Sequence, residues 1–270
     1  MNVIPIPLPP RVEAAPARAV LLREVRGSLS SRYLQVFCAI ALAGGIAAVA
    51  FAEETTSASL FILQLALYCV SLFALLLGVN SARAESREWP LLFSQPVARG
   101  AFLLGKFFAL LAIFATALLL LFLPALCTPA RSLQLVQLYI FTVELTAIFI
   151  ALGLTSGFLA RERVQGLIVA IVIWLVFLVG FDLIALFAAR WPLLQKVPDV
   201  WVGLLMLNPL DAFRIQALFA MEQIPAEAAN KTPLASWWLS HARLWFAFVC
   251  PVWTAALLYL TARKLNRWED

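Results

Sequence analysis

Charge is scarce in this sequence. Only 13% of its 270 residues are Asp, Glu, Lys or Arg, whereas soluble domains carry about a quarter. With 63% hydrophobic residues and a mean hydropathy of +0.93, a soluble globule is excluded and a polytopic membrane protein is expected. Histidine occurs once and methionine three times. Soft-metal passage needs several such ligands inside the membrane, so no metal site is expected. Cysteine occurs four times, at Cys38, Cys69, Cys127 and Cys250, without a CxxC spacing. These read as small core residues, not a disulfide frame. A polar stretch of soluble-domain size is also missing, because the longest connection, 190–241, is itself rich in apolar residues. The net charge of +5 fits Lys and Arg gathered on the cytoplasmic face; no nucleic-acid partner is expected.

What is there begins with Pro5, Pro7, Pro9 and Pro10, where a signal peptide would need a hydrophobic helix. Residues 1–16 are expected to form a flexible lead-in without a cleavable signal. From Ala17 to Arg32, Leu21, Val25 and Leu29 recur at helical spacing among Arg18, Arg23, Glu24 and Arg26. This predicts an amphipathic helix lying in the cytoplasmic interface against membrane lipid; the alternative is the polar start of the first span.

The remainder, 17–270, reads as one all-α transmembrane domain with six spans, at roughly 33–52, 60–80, 101–123, 134–160, 167–188 and 243–261. Pro124 is expected to end the third span and Pro251 to kink the sixth. The larger share of Lys and Arg falls on the side that holds both termini. That places both ends in the cytoplasm of a bacterial inner-membrane protein. The short basic ending RKLNRWED leaves no room for a nucleotide-binding domain within this sequence.

Two connections stand out. Ser81–Lys106 holds three Arg, one Lys and two Glu, with Trp89, Phe93, Pro90 and Pro96 among them. It is too apolar for a solvated loop and too charged for a span, and it is expected to be a cytoplasmic element touched by another protein. The 190–241 connection concentrates Trp191, Trp201, Trp237 and Trp238, an aromatic belt at the outer interface. Within it Asn208 suits an N-cap, Pro209 the first helical turn, and Asp211 the positive end of the helix dipole. Short re-entrant or interfacial helices are expected here on the outer side, carrying Asn208, Pro209, Asp211 and Arg214. The alternative is a seventh span starting near Val200.

Candidate chemistry is thin. GAFLLGKF, from Gly100, has P-loop spacing but places Phe107 where Mg²⁺ needs Ser or Thr, and no strand precedes it. Lys106 is expected to reach headgroups instead. Ser156 in GLTSG and His241 form the one tempting nucleophile–base pair. The expected topology sets them on the order of 25 Å apart, while a base must come within about 3 Å, so no catalytic residues are expected. Glu144 falls near mid-bilayer, as a pathway lining or as a hydrogen-bonded structural carboxyl. Asp182 falls near the outer end of the fifth span, as a polar lining or an ordinary interfacial charge.

The order of these parts resembles ABC-2 type permeases, the membrane subunits of one class of ABC exporter. LLREVRGSLSSRYL is similar to that family's N-terminal elbow helix. ARAESREWPLLFSQPVARGAFLLGKF is similar to its coupling segment, through Glu85, Glu88, Pro96, Arg99, Gly100, Gly105 and Lys106. Trp89-Pro90 replaces the usual Gly-Thr. FDLIALF and LNPLDAFR resemble the branch that serves nitrous-oxide-reductase maturation. The resemblance implies a homodimer with two copies of a separate ATPase, which would carry the ATP and Mg²⁺, this chain holding no cofactor. The ATPase would press on Glu85, Arg87, Glu88, Trp89, Pro96 and Arg99. The branch further implies export of a species for metalloenzyme maturation outside the membrane and a periplasmic accessory protein. A non-transporting membrane scaffold is the other reading.

Overall fold

The computed structural model describes residues 27, 31–51, 55–84, 99–127, 132–190, 198–221 and 233–266. The proline-rich lead-in, all but Gly27, Ser31 and Arg32 of the elbow region, and most of the 81–106 connection lie outside the described residues. Every element within them is helical, as a chain of long apolar runs must be when its backbone has to satisfy its own hydrogen bonds in lipid. Among the described residues, six helices are long and apolar enough to cross a membrane.

The first span is α1 (Arg32–Ala50). The second is α2 (Thr55–Leu65), continuing through a π-helical turn at Ala66–Val70 into α3 (Ser71–Ala84). The third is α4 (Arg99–Leu126) and the fourth α5 (Ser132–Leu159). The fifth is α6 (Arg163–Leu175), a second π-helical turn at Val176–Gly180, and α7 (Phe181–Ala189). Two shorter helices follow, α8 (Pro198–Leu207) and α9 (Pro209–Ala220), before the sixth span in α10 (Pro233–Asn266). At 10 and 12 residues, α8 and α9 rise only about 15 and 18 Å, too little to cross a core of about 30 Å. Neither supplies the seventh span considered near Val200.

The sequence placed span ends imperfectly. The second span runs on to Ala84, past the expected stop at Asn80. Pro124 does not end the third span but lies in its last turn, and the helix has only Ala125 and Leu126 left after it. In α10 the backbone leaves helical geometry at His241 (φ −118°, ψ 17°), and Pro251 is carried inside the helix. Neither π-helical turn was expected, because a π turn adds one residue to a helix without altering its apolar composition.

The fourth span is the hub. It packs against the second, third and sixth spans and against α9, while the first packs on the third. Some 61% of its apolar window is buried, against 11% for the fifth span. Glycine sets the closest approach. A Cβ on Gly78 would lie 2.6 Å from the Ile150 carbonyl oxygen and 3.0 Å from Gly153 Cα, and one on Gly153 would strike the Leu75 carbonyl oxygen. Gly157 meets Ala82 in the same seam. GLTSG is therefore a small-x-x-x-small packing face in the membrane, and Ser156 is part of that face. Side-chain bonds fasten the other contacts. Tyr139 donates to the Ala115 carbonyl at 3.0 Å, and Thr261 donates to Thr155 Oγ1 at 2.9 Å.

Candidate functional site

Three places carry polar groups into this apolar bundle. The first brackets the connection between the second and third spans. Glu85, Arg87, Glu88, Trp89 and Pro96 lie outside the described residues; Arg83 and Arg99, on either side, are described. Arg83 is 9% exposed, and its guanidinium donates to the carbonyls of Ala160 and Arg161 (Arg161 at 3.4 Å). These are oxygens just past the C-terminal end of α5. Arg99 donates to the Leu265 carbonyl in the last turn of α10. A cation on the final carbonyls of a helix satisfies orphan acceptors and complements the dipole. The connection is thus pinned at its start to the fourth span and at its end to the sixth. Lys106 departs from expectation: it is 1% exposed and lies over the Phe102 ring, 5.7 Å from its centre, rather than among headgroups.

The second place is the turn between α8 and α9. Asn208 is fully buried, and its side chain makes three hydrogen bonds. Its Oδ1 accepts from the Leu210 amide at 3.2 Å, the N-cap bond that its sequence position predicts. Its Nδ2 donates to the Phe177 carbonyl at 2.9 Å and to Asp211 Oδ2 at 2.5 Å. Phe177 lies in the second π-helical turn, where the widened ladder leaves carbonyls poorly served by their own helix. Arg214 then sits 3.6 Å from both Asp211 and Asp182, so Asp182 is an ion-pair partner as well as an end-of-span charge. Trp245 and Trp253 of the sixth span donate to the Met206 and Leu207 carbonyls at 2.9 and 3.0 Å, closing the end of α8. Phe177 lies 12 residues before Ala189, and Trp253 12 residues after His241. By helix rise the turn therefore reaches about 18 Å in from the end of the bundle.

Burial raises the Asp211 carboxyl above its ordinary range; the Asn208 bond and the Arg214 charge oppose this, and Asp182 adds to it. A carboxyl raised on folding binds its proton more tightly folded than unfolded. Its contribution is full in acid and is lost as pH rises through the folded value. Asp211→Asn is expected to flatten the pH dependence of thermal unfolding across and above the carboxylate range, followed in detergent against the wild type.

A matching polar contact joins the two π-helical turns. Ser71, directly after the first, donates to the Leu67 carbonyl and accepts from Trp174 Nε1 at 2.9 Å, just before the second. The sequence carries no local signal for this pair, 103 residues apart.

The third place is an open-sided groove of about 560 Å³ between the third, fourth and sixth spans, with Glu144, Cys250 and Thr254 on its walls. Glu144 Oε2 is buried without a hydrogen-bond partner among the described residues. Ser156 and His241 stay apart. Thr155, beside Ser156, donates to the Leu257 carbonyl at 3.2 Å, and Leu257 lies 16 residues beyond His241, about 24 Å along the helix. His241 Nδ1 instead lies 2.8 Å from Ser240 Oγ and 3.0 Å from the Trp237 carbonyl.

No protein-family model matches the chain. A curated relative, the probable ABC transporter permease protein NosY of Pseudomonas aeruginosa, is 29% identical over 217 residues. The match covers 76% of this chain and 78% of that protein.

Proposed function

We propose that this chain, a homologue of the ABC transporter permeases, is the membrane permease subunit of an exporter that works as a homodimer on two copies of a separate ATPase. The likeness to a permease along most of both chains carries the reading, and six helices able to cross a membrane agree with it. The fifth span supports the homodimer. Only 11% of its apolar window is covered within one chain, so a second copy has a long apolar face to meet. The elbow helix, the outer re-entrant pair α8–α9, cytoplasmic termini and an inner-membrane location belong to the same proposal, as does the division into a lead-in and one transmembrane domain. The depth reached by the α8–α9 turn supports a re-entrant pair. The cargo class, a species for metalloenzyme maturation delivered with a periplasmic accessory protein, rests on the branch resemblance.

Coupling is assigned to Glu85, Arg87, Glu88, Trp89, Pro96 and Arg99. The pinned ends support this, because a push that reaches Arg83 or Arg99 bears on the fourth and sixth spans. Reversing Glu85 and Glu88 to lysine is expected to remove about 1.5–3 kcal/mol of charge-assisted contact. Permease-dependent stimulation of ATP hydrolysis should then fall roughly tenfold in reconstituted membranes, with the elution profile unchanged. Unaltered stimulation would refute the coupling role. Co-expression with neighbouring genes and purification in mild detergent tests the assembly itself: recovery of the chain without an ATPase would favour a scaffold.

A further inference from the structure

The groove on the flank of the bundle has a chemistry that the permease reading leaves unused. Its walls come from Gly100 to Leu111 on the third span and Cys250 to Ala262 on the sixth, with Glu144 and Ala147 of the fourth span at its floor. Twelve residues separate Cys250 from Ala262, so the groove is about 18 Å long by helix rise. Its volume of about 560 Å³ is that of a site for a drug-sized molecule, and far too small to take a whole helix of about 10 Å diameter. The lining is almost wholly apolar, with Phe107, Phe108 and Tyr259 adding aromatic faces.

Among the described residues, Glu144 is the one ionisable carboxyl on these walls, and no Lys, Arg or His lines the groove beside it. It lies 12 residues into a 28-residue helix, near the middle of the span. One carboxyl oxygen is buried and without a hydrogen-bond partner among the described residues. The nearby polar groups do not supply a strong donor. Cys250 carries a weak S–H donor, and Thr254 a hydroxyl that helical threonines commonly turn to their own backbone. A carboxyl at such depth is costly unless a donor meets it, and its terminal torsion is soft enough to offer either oxygen.

We infer that this groove is a binding site for a lipophilic amine, with the ammonium on the Glu144 carboxyl and the apolar body against the aromatic and aliphatic walls. Charge complementarity selects this occupant. A neutral acyl chain would fill the walls and leave the carboxyl unmet. An anionic headgroup presents acceptors and would offer it no donor. Aromatic faces favour a cation as well as an apolar body. The site lies apart from the thinly covered fifth span, and it does not depend on an ATPase; failure of the test below would leave the permease reading untouched.

The test uses two fluorescent probes that differ only in the cation, 1-(aminomethyl)pyrene and 1-methylpyrene. They are titrated into the full chain in nanodiscs, with energy transfer from tryptophan to pyrene as the readout. The amine is expected to bind saturably at one site per chain, about tenfold more tightly than the hydrocarbon. Glu144→Gln should bring the two probes to parity, and Ala255→Trp, which fills the groove, should abolish saturable binding of both. Equal binding of both probes to the wild type, binding of the amine unchanged by Glu144→Gln, or no saturable site would each overturn the proposal. If Glu144→Gln does not elute as the wild type does, the probe ratio in the wild type and its loss in Ala255→Trp decide the matter.

Discussion

Replacing Gly153 by leucine is expected to yield no monodisperse protein in detergent. The Cβ alone would strike the Leu75 carbonyl oxygen, with Gly78 Cα at 3.0 Å and the Val79 nitrogen at 3.0 Å. All three are backbone atoms, so no side chain can swing away to make room. The second and fourth spans would have to separate, and with them the most extensive helix pair among the described residues. In lipid that contact rests on close packing and not on exclusion of water, so separation forfeits dispersion contacts and gains nothing in return. A loss of about 4 kcal/mol or more is expected, in the range reserved for backbone clashes and gross overpacking. Gly203→Ala is the matched control. Nothing lies within 4 Å of the Cβ it would add, and its melting temperature should equal or slightly exceed that of the wild type. Retention of a wild-type melting temperature by Gly153→Leu would show that the second and fourth spans do not meet through this seam.

The contrast between the two glycines bears on what a linear sequence reveals. Hydropathy was enough to find six spans, because a bilayer imposes its thickness on every crossing helix in the same way. The ends were harder. Ser81 to Ala84 looked like the beginning of a polar connection, yet they continue α3, since Arg83 finds its acceptors at the end of α5 and no longer needs water. Lys106 went astray for a related reason. A lysine near a span end ordinarily reaches outward, but here an aromatic ring and the neighbouring helices enclose it. Gly153 and Gly157 did leave a mark, a small-x-x-x-small spacing in an apolar run.

Local rules did better at the turn between α8 and α9. An N-cap, a proline in the first turn and an early acid are all short-range features, and Asn208, Pro209 and Asp211 take those places. Their remaining partners are long-range. Phe177 lies 31 residues before Asn208, and nothing in FDLIALF or its flank announces a π-helical turn. The proposed coupling residues 85–96 lie outside the described residues, so their case still rests on sequence pattern and on the pinned ends.

Asn208→Leu is expected to uncouple α9 from the fifth span at a cost of about 2–4 kcal/mol. The leucine fills nearly the same volume, so packing changes little, while three hydrogen bonds go at once. Loss of the N-cap accounts for about 1 kcal/mol. The Phe177 carbonyl, left buried with no donor from Asn208, adds about 1–3 kcal/mol. Asp211 loses a donor while still buried, which moves its carboxyl further toward the protonated form. The mutant should therefore melt well below the wild type in detergent at neutral pH and recover part of the difference in acid, as the protonated carboxyl no longer needs the missing amide. That recovery separates the bonded role from a merely spatial one. Leucine at a position that only filled space would leave the melting temperature close to that of the wild type at every pH, and Asn208→Ala would then be worse than Asn208→Leu by a margin that pH does not change.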